Sequence, residues 1–253
     1  MLKKTANSIT GGLSSPGKMP CPSYSLPALL TCPVGALLNR QPSTSCTHCY
    51  ATKGRYGIGN VKDALLKRHN LLLEAIGAWD GATDPNDQSQ QPNSVLTWVE
   101  AMVTLIGKRP YFRWHDSGDI FSGAYLRMML QVMWETPATK HWIPTKEREL
   151  VESIDQSLIP PNACFRFSSG TVHSIDEGEE PGWLGSDTAP VAHVTAMPSA
   201  WYGTRESVEF FATRGALLCL AKYRSSQQGK EQACGDCRAC WSPKVEAIVY
   251  PEH

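Results

Sequence analysis

Residues 111–169 read YFRWHDSGDIFSGAYLRMMLQVMWETPATKHWIPTKERELVESIDQSLIPPNACFRFSS. Short apolar runs alternate here with stretches of helical spacing. Tyr111–His115, Lys140–Ile143 and Ala163–Ser168 are expected strands, and Ser122–Glu135 and Glu147–Ser153 are expected helices. This alternation predicts parallel pairing through right-handed crossovers. On the N-terminal side, residues 61–77 carry Leu65, Leu66, Leu72, Leu73 and Ile76 at helical spacing. Residues 80–93 are polar and turn-forming, an expected surface loop. A helix over Ser94–Ile106 follows, with Ser94 as its expected N-cap. Towards the C-terminus, Val191–Ala196 and Val245–Tyr250 read as strands and Glu206–Thr213 as a helix.

A complete eight-fold barrel takes about 250 residues. This chain has 253, and they include a loop-rich N-terminal region and a cysteine-rich tail. The expected fold class is therefore α/β, a partial (β/α) barrel of about five or six units. Residues 1–28, rich in Gly, Ser, Pro and Lys, read as an irregular arm. Residues 29–215 read as the partial barrel with an N-terminal cysteine loop, and residues 216–253 as a cysteine-rich extension ending in a strand.

Lysine plus arginine equals aspartate plus glutamate at 24 each, so the formal net charge is zero. That balance argues against a broad, non-specific grip on nucleic acid, though not against a local basic groove. Hydrophobic residues at 42% and charged ones at 19% describe a chain that folds around a core. No run reaches the roughly 18 apolar residues of a membrane span. Met1–Pro20 lacks an apolar core, so no secretory signal is expected, and the expected location is a reducing cytoplasm.

There are nine cysteines, at 21, 32, 46, 49, 164, 219, 234, 237 and 240. An odd, clustered set without an export signal fits metal or redox chemistry better than a disulfide framework. Cys234, Cys237 and Cys240 make two consecutive C-x2-C steps, and Cys219 completes a four-thiolate set. Zinc or an iron–sulfur cluster can be held this way. Cys46 and Cys49 make a lone C-x2-C step with Cys32 upstream, and three thiolates would leave a metal one open position, the mark of a working site. A closed zinc site would need Cys21 as well.

In parallel α/β folds, ligands bind at the C-terminal ends of the strands. Polar groups follow three expected strands: His115-Asp116-Ser117-Gly118-Asp119, then Thr145-Lys146-Glu147-Arg148, then Ser168-Ser169-Gly170. They can form one binding rim, or they can simply make turns and caps.

The segment CTHCY, residues 46–50, resembles the end of the radical S-adenosylmethionine signature. The stretches GKMPCPSYSLPA, CTHCYATKGRY, RWHDSGDI, KHWIPTKERELV and CGDCRACW together resemble a family of bacteriophage gene products. That family is similar in layout to divergent radical S-adenosylmethionine enzymes of phages, some of which act in thymidine hypermodification. The signature's first spacing is three residues; here Cys32 and Cys46 are separated by 13, an enlarged loop.

The resemblance implies a partial (β/α) barrel of radical S-adenosylmethionine type. Cys32, Cys46 and Cys49 would hold a [4Fe–4S] cluster whose fourth iron is chelated by S-adenosylmethionine. His48 would lie by the adenine, and Tyr50 would also bind the cofactor. Ser117, Gly118 and Asp119 would receive the methionyl ammonium, and Lys146 or Arg148 a carboxylate. Ser168 would bond a ribose hydroxyl, and His115 would serve as a base. Cys219, Cys234, Cys237 and Cys240 would hold an auxiliary cluster, with zinc as the alternative.

The implied activity is an isomerase that moves a glycyl adduct of thymine from nitrogen to carbon linkage, so that viral DNA evades restriction. Its substrate would be modified thymidine in DNA or as nucleotide. An external donor such as flavodoxin or ferredoxin would supply electrons in the host cytoplasm, with no membrane involved. The rival readings are a zinc-bound nucleic-acid-binding or structural protein, and an iron–sulfur nuclease or redox sensor.

Several single residues read more plainly. His141 is an expected satisfied core histidine, and Cys164 a small buried hydrophobe. His69 is expected on a solvated face, and Trp98, Trp134 and Trp142 in the core. Trp201-Tyr202 and Trp241 are candidates for stacking on a base, against simple packing.

Overall fold

The computed structural model describes residues 1–82, 84–172, 191–197, 204–213, 216–228, 232–245 and 247–251. Seven strands form one sheet: β1 (Ser23–Tyr24), β2 (Tyr111–Trp114), β3 (Lys140–Thr145), β4 (Ala163–Val172), β5 (Val191–Met197), β6 (Ala216–Leu218) and β7 (Ala247–Pro251). Their order is β1-β2-β3-β4-β5-β7-β6, and every pairing is parallel. The strand–helix alternation of 111–168 thus gives the parallel α/β sheet it predicts. Only the last two strands leave sequence order, with β7 inserted between β5 and β6.

Eight helices are described: α1 (Lys3–Thr10), α2 (Pro33–Leu38), α3 (Gly59–Ile76), α4 (Asn93–Ile106), α5 (Gly123–Glu135), α6 (Arg148–Glu152), α7 (Arg205–Ala212) and α8 (Leu220–Gln228). Helices α3, α4 and α5 send their apolar stripes into the main core. Leu72, Trp98, Met102, Tyr125 and Met129 meet Tyr24, Phe112, Trp114, Ile143, Phe165 and Phe167 there. The alternation along β2 accounts for this: Phe112 and Trp114 are buried, while Tyr111 and Arg113 are only partly so. Burial of a large apolar side chain contributes about 1.5–3 kcal/mol, so this layer carries most of the fold. Among the described residues, no helix is long and apolar enough to cross a membrane.

Several local expectations change. Residues 1–28, expected to be irregular, contain α1 and β1. Ala6 of α1 packs on Ala101 and Leu105 of α4, and the Tyr24 hydroxyl donates to Thr10 O at 2.9 Å. Residues 216–251 contribute β6 and β7 to the same sheet. Ser94 is not an N-cap: Pro92 takes that position, and Ser94 Oγ donates instead to Ala75 O at the end of α3. By contrast, Ser122 caps α5, accepting from the Tyr125 N–H.

His69 is buried rather than solvated, edge-on to Phe121. Trp134 is 37% exposed, its indole N–H donating to Leu158 O. Trp98, Trp142 and Cys164 are buried as expected. His141 is a satisfied core histidine. Its Nδ1 accepts from the Trp114 indole at 3.2 Å, and its Nε2 is 2.9 Å from Thr136 Oγ1. Trp201 and Tyr202 lie outside the described residues.

Candidate metal and cofactor site

All strands run one way, so the segments after β2 and β3 leave the same edge of the sheet. Asp119 and Lys146 meet there. Asp119 Oδ1 accepts from Thr145 Oγ1 at 2.6 Å and from the Ile120 N–H at 2.8 Å, and Oδ2 accepts from the Lys146 N–H at 2.9 Å. Burial raises the Asp119 carboxyl above its ordinary range, and these donors oppose the shift.

The segment before Cys32 is laced to the same edge. Leu26 N–H donates to Ser117 O, and Asp119 N–H to Thr31 O. Ser117 Oγ donates to Leu26 O at 2.8 Å. Gly118 has φ +82°, and a Cβ there would lie 2.6 Å from Thr31 Oγ1 and 2.7 Å from Leu26 Cβ. Only glycine fits so close an approach in the left-handed region. Ser117 and Gly118 therefore hold the start of the cysteine loop in place.

Cys32 precedes α2, whose first residue is Pro33, a residue preorganised for a helix start. Glu147 Oε1 accepts the Val34 N–H at 2.9 Å. Burial pushes the Glu147 carboxyl up to about 7. Gly35 faces the sulfurs: a Cβ on it would be 3.7 Å from Cys46 Sγ and 3.9 Å from Cys32 Sγ. Both thiols thus converge on one side of α2, and Cys49 is near enough for its charge to act on each.

Burial drives the Cys32 thiol up to about 12, with Asp119, Cys49 and Cys46 pushing the same way. Burial raises the Cys46 thiol also, and the Lys146 ammonium opposes that rise. Lys146 Nζ donates to Ser45 Oγ at 2.7 Å. A bound metal would reverse this balance, because coordination deprotonates a thiol.

The other expected site residues divide. His48 is exposed beside Cys49. The Tyr50 hydroxyl donates to Asp116 O at 2.5 Å, and Tyr56 donates to Asp116 Oδ2 at 2.8 Å. His115 does not face the cysteines. Its φ of +55° breaks the alternation of β2, and its ring turns into the helix layer, with Nε2 2.9 Å from the Tyr125 hydroxyl. Burial lowers it to about 3, which makes it a poor base near neutrality. Arg148 lies over the Phe167 ring at 4.6 Å and pairs with Glu152 at 3.4 Å. Ser168 is partly buried on β4, in register with Val194 of β5.

The second cysteine group lies against the sheet face opposite the main core. Trp241 is buried between Tyr111 and Trp142, with its indole N–H on Phe112 O at 2.8 Å. It is a packing residue and not a surface for a base. Arg166, fully buried on β4, donates to four carbonyls of this tail: Cys240 O at 3.0 Å, Val245 O at 3.0 Å, Ala239 O at 2.8 Å and Ser242 O at 2.8 Å.

The charge of Cys237 acts on Cys219 and Cys234, and Cys240 Sγ is 3.2 Å from the Tyr250 hydroxyl. Cys21 packs with this group, beside Trp142, Trp241 and Cys240, and so does not close a four-thiol set with Cys32, Cys46 and Cys49. Among the described residues, no three His, Cys, Asp or Glu side chains are placed to hold a single metal ion.

Three residues absent from the sequence reading help build the site: Ser45, Arg166 and Arg113. Arg113 lies over the Trp142 ring at 4.4 Å. Tyr50 and Asp116 favour its charged form on one side, and its charge is felt by Cys21 and Cys234 on the other. Its strand alternation with Phe112 and Trp114 was the available signal, since a cation in that register has to face away from the core.

No curated protein and no solved structure matches the chain. Residues 1–243, nearly its whole length, match the profile of the family described as Gene product 88, and the chain belongs to that bacteriophage protein family.

Proposed function

We propose that this protein is an iron–sulfur enzyme of radical S-adenosylmethionine type on a partial (β/α) barrel, with Cys32, Cys46 and Cys49 as cluster ligands. The observation that carries the reading is the approach of the Cys32 and Cys46 sulfurs to Gly35 at the C-terminal edge of a parallel sheet, with Cys49, Asp119 and Lys146 close enough for their charges to act there. The donor set fits a cluster chemically: it is three soft thiols with no fourth cysteine closing it, since Cys21 is packed elsewhere. Bound there, the cluster and S-adenosylmethionine would supply one-electron chemistry that removes a hydrogen atom from carbon.

The chain's own residues take supporting roles. Glu147 anchors the helix start after Cys32, and Lys146 holds the Cys46 loop through Ser45. Asp119 fixes the turn that presents Lys146. Its buried carboxylate, beside the thiols, is the group best placed to meet a methionyl ammonium. The substrate class we propose is thymidine bearing an amino-acid adduct, rearranged from nitrogen to carbon linkage. It would be met in the host cytoplasm with an external electron donor.

The test is anaerobic purification with iron, sulfide and zinc analysis, followed by reduction with S-adenosylmethionine and modified DNA. Formation of 5′-deoxyadenosine and a nucleoside of unchanged mass but shifted retention is the expected result. Stoichiometric zinc without iron, and no 5′-deoxyadenosine under any reductant, would replace this reading with the zinc-bound binding protein.

A further inference from the structure

The sheet face opposite the main core gathers guanidinium groups. Arg113 is in register with Ser23 of β1 and Trp142 of β3, and its Cζ lies 4.4 Å over the Trp142 ring. Cys164 of β4 is the register partner of Trp142. Arg166 follows it two residues on, so it projects from the same face. Arg238 of the tail lies over the Tyr111 ring at 5.0 Å. Among the described residues, none of these three cations has a carboxylate oxygen within 4.0 Å. In a chain of zero formal net charge, that is a local excess of positive charge.

The three spend their donors differently. Arg166 gives its N–H groups to four main-chain carbonyls, and Arg238 Nη1 donates to Gly235 O and Cys237 O. Arg113 Nη2 meets His115 O at a long 3.4 Å, and its Nε is buried with no partner among the described residues. A guanidinium carries five N–H donors, so Arg113 keeps donors to spare. Asp116, three residues on, is already engaged: Oδ1 accepts from Ser23 Oγ at 2.7 Å and Oδ2 from the Tyr56 hydroxyl at 2.8 Å. Arg113 is only partly buried, so part of it stays open to a ligand. It lies one residue from the end of β2, and Tyr50, which follows Cys49, reaches the same edge by donating to Asp116 O.

We propose that Arg113 is the anion-binding residue of this face and takes the carboxylate or phosphate of the ligand through paired N–H contacts. The Trp142 ring against it fixes the plane of the fork. Lys146 and Arg148 are then free of that role: Lys146 holds Ser45, and Arg148 pairs with Glu152. That the anion belongs to an amino-acid adduct of thymidine or to a nucleotide rests on the function proposed above; the anion site itself does not.

The experiment titrates the full chain with inorganic phosphate and with acetate at constant ionic strength, read by tryptophan fluorescence. Saturable binding of one or both ions is expected. Arg113→Gln should weaken it by about tenfold or more, and Arg205→Gln, which removes an exposed cation of α7, should not. Arg113→Lys keeps a charge over Trp142 but loses the fork, so it should recover phosphate binding better than acetate binding. A purely structural role would not move that ratio, and this variant carries the test if Arg113→Gln does not fold. No saturable binding to wild type, or wild-type affinities in the folded Arg113 variants, overturns the proposal. Thymidine 5′-monophosphate and 5-carboxymethyl-2′-deoxyuridine, with thymidine as the neutral control, then separate the two sources of the anion. Binding of the ions but of neither nucleoside, or failure to cleave S-adenosylmethionine, would end the function proposed above and leave the anion site standing.

Discussion

Lys146 and Ser45 are joined by a 2.7 Å hydrogen bond across 101 positions of sequence. It fastens the end of β3 to the loop that carries Cys46, and it gives the lysine a positioning role. A hydrogen bond to a charged group contributes about 1.5–3 kcal/mol, and partial exposure lowers that here. Lys146→Met is therefore expected to cost about 1 kcal/mol in urea unfolding and to lower iron uptake at the N-terminal thiols. Equal stability and equal iron in the two proteins would show that the tie does not shape the loop.

Gly35 makes room for the thiols. A methyl group there would stand 3.0 Å from Cys32 Cβ and against both sulfurs. In a helix, alanine is better than glycine by about 0.8–1 kcal/mol, so Gly35→Ala should leave the metal-free fold near wild-type stability. Metal loading at Cys32, Cys46 and Cys49 should nevertheless fall, read as iron per chain after reconstitution. Gly57→Ala, where nothing lies within 4 Å of the added carbon, is the control that should load normally. Full loading of Gly35→Ala would place the metal away from α2.

The sheet was legible because residues 111–168 change period cleanly between strand and helix, and because β2 alternates core and non-core side chains. Shorter elements were not. β1 has two residues and β6 three, too few to show a period. α1 meets α4 through Ala6 and Ile9 alone, too few residues to show a stripe. The cysteine spacings pointed to two groups, but spacing could not assign Cys21, which lies closer in sequence to Cys32 and packs with the tail. His115 has a positive φ, uncommon at a non-glycine residue and invisible to spacing, and its ring meets Tyr125 in the helix layer.

Arg166 is a buried cation that donates to four backbone carbonyl oxygens. Its planar fork fixes the 239–245 turn, and a lysine cannot reproduce that geometry. Arg166→Met strands four carbonyls, so a loss of about 3 kcal/mol or more is expected. Arg166→Lys should recover little of it. Thermal unfolding gives the stability, and alkylation of Cys240 gives the local effect, faster by the degree to which the turn opens. If alkylation of Cys240 were unchanged in both variants, the turn would be held by Trp241 alone.

His141 sets a pH dependence that can be isolated. Its ring is fully buried, and burial lowers it from 6.5 to about 3. Between those values the unfolded chain holds more protons than the folded one, so this residue's stability contribution is complete above pH 6.5. It is lost progressively as the pH falls towards 3. At pH 5 the loss amounts to about 2 kcal/mol. His115, also lowered to about 3, adds in the same direction. Glu147 acts oppositely: raised from 4.5 to about 7, it makes the folded chain the better proton binder in that window. The wild-type curve therefore mixes signs, and the useful quantity is a difference. His141→Gln cannot ionise, yet its amide can accept from the Trp114 indole and donate to Thr136. Between pH 7 and pH 5, urea unfolding should show wild type losing about 2 kcal/mol more than this variant. Parallel curves for the two proteins would mean that the ring takes up a proton without leaving the fold.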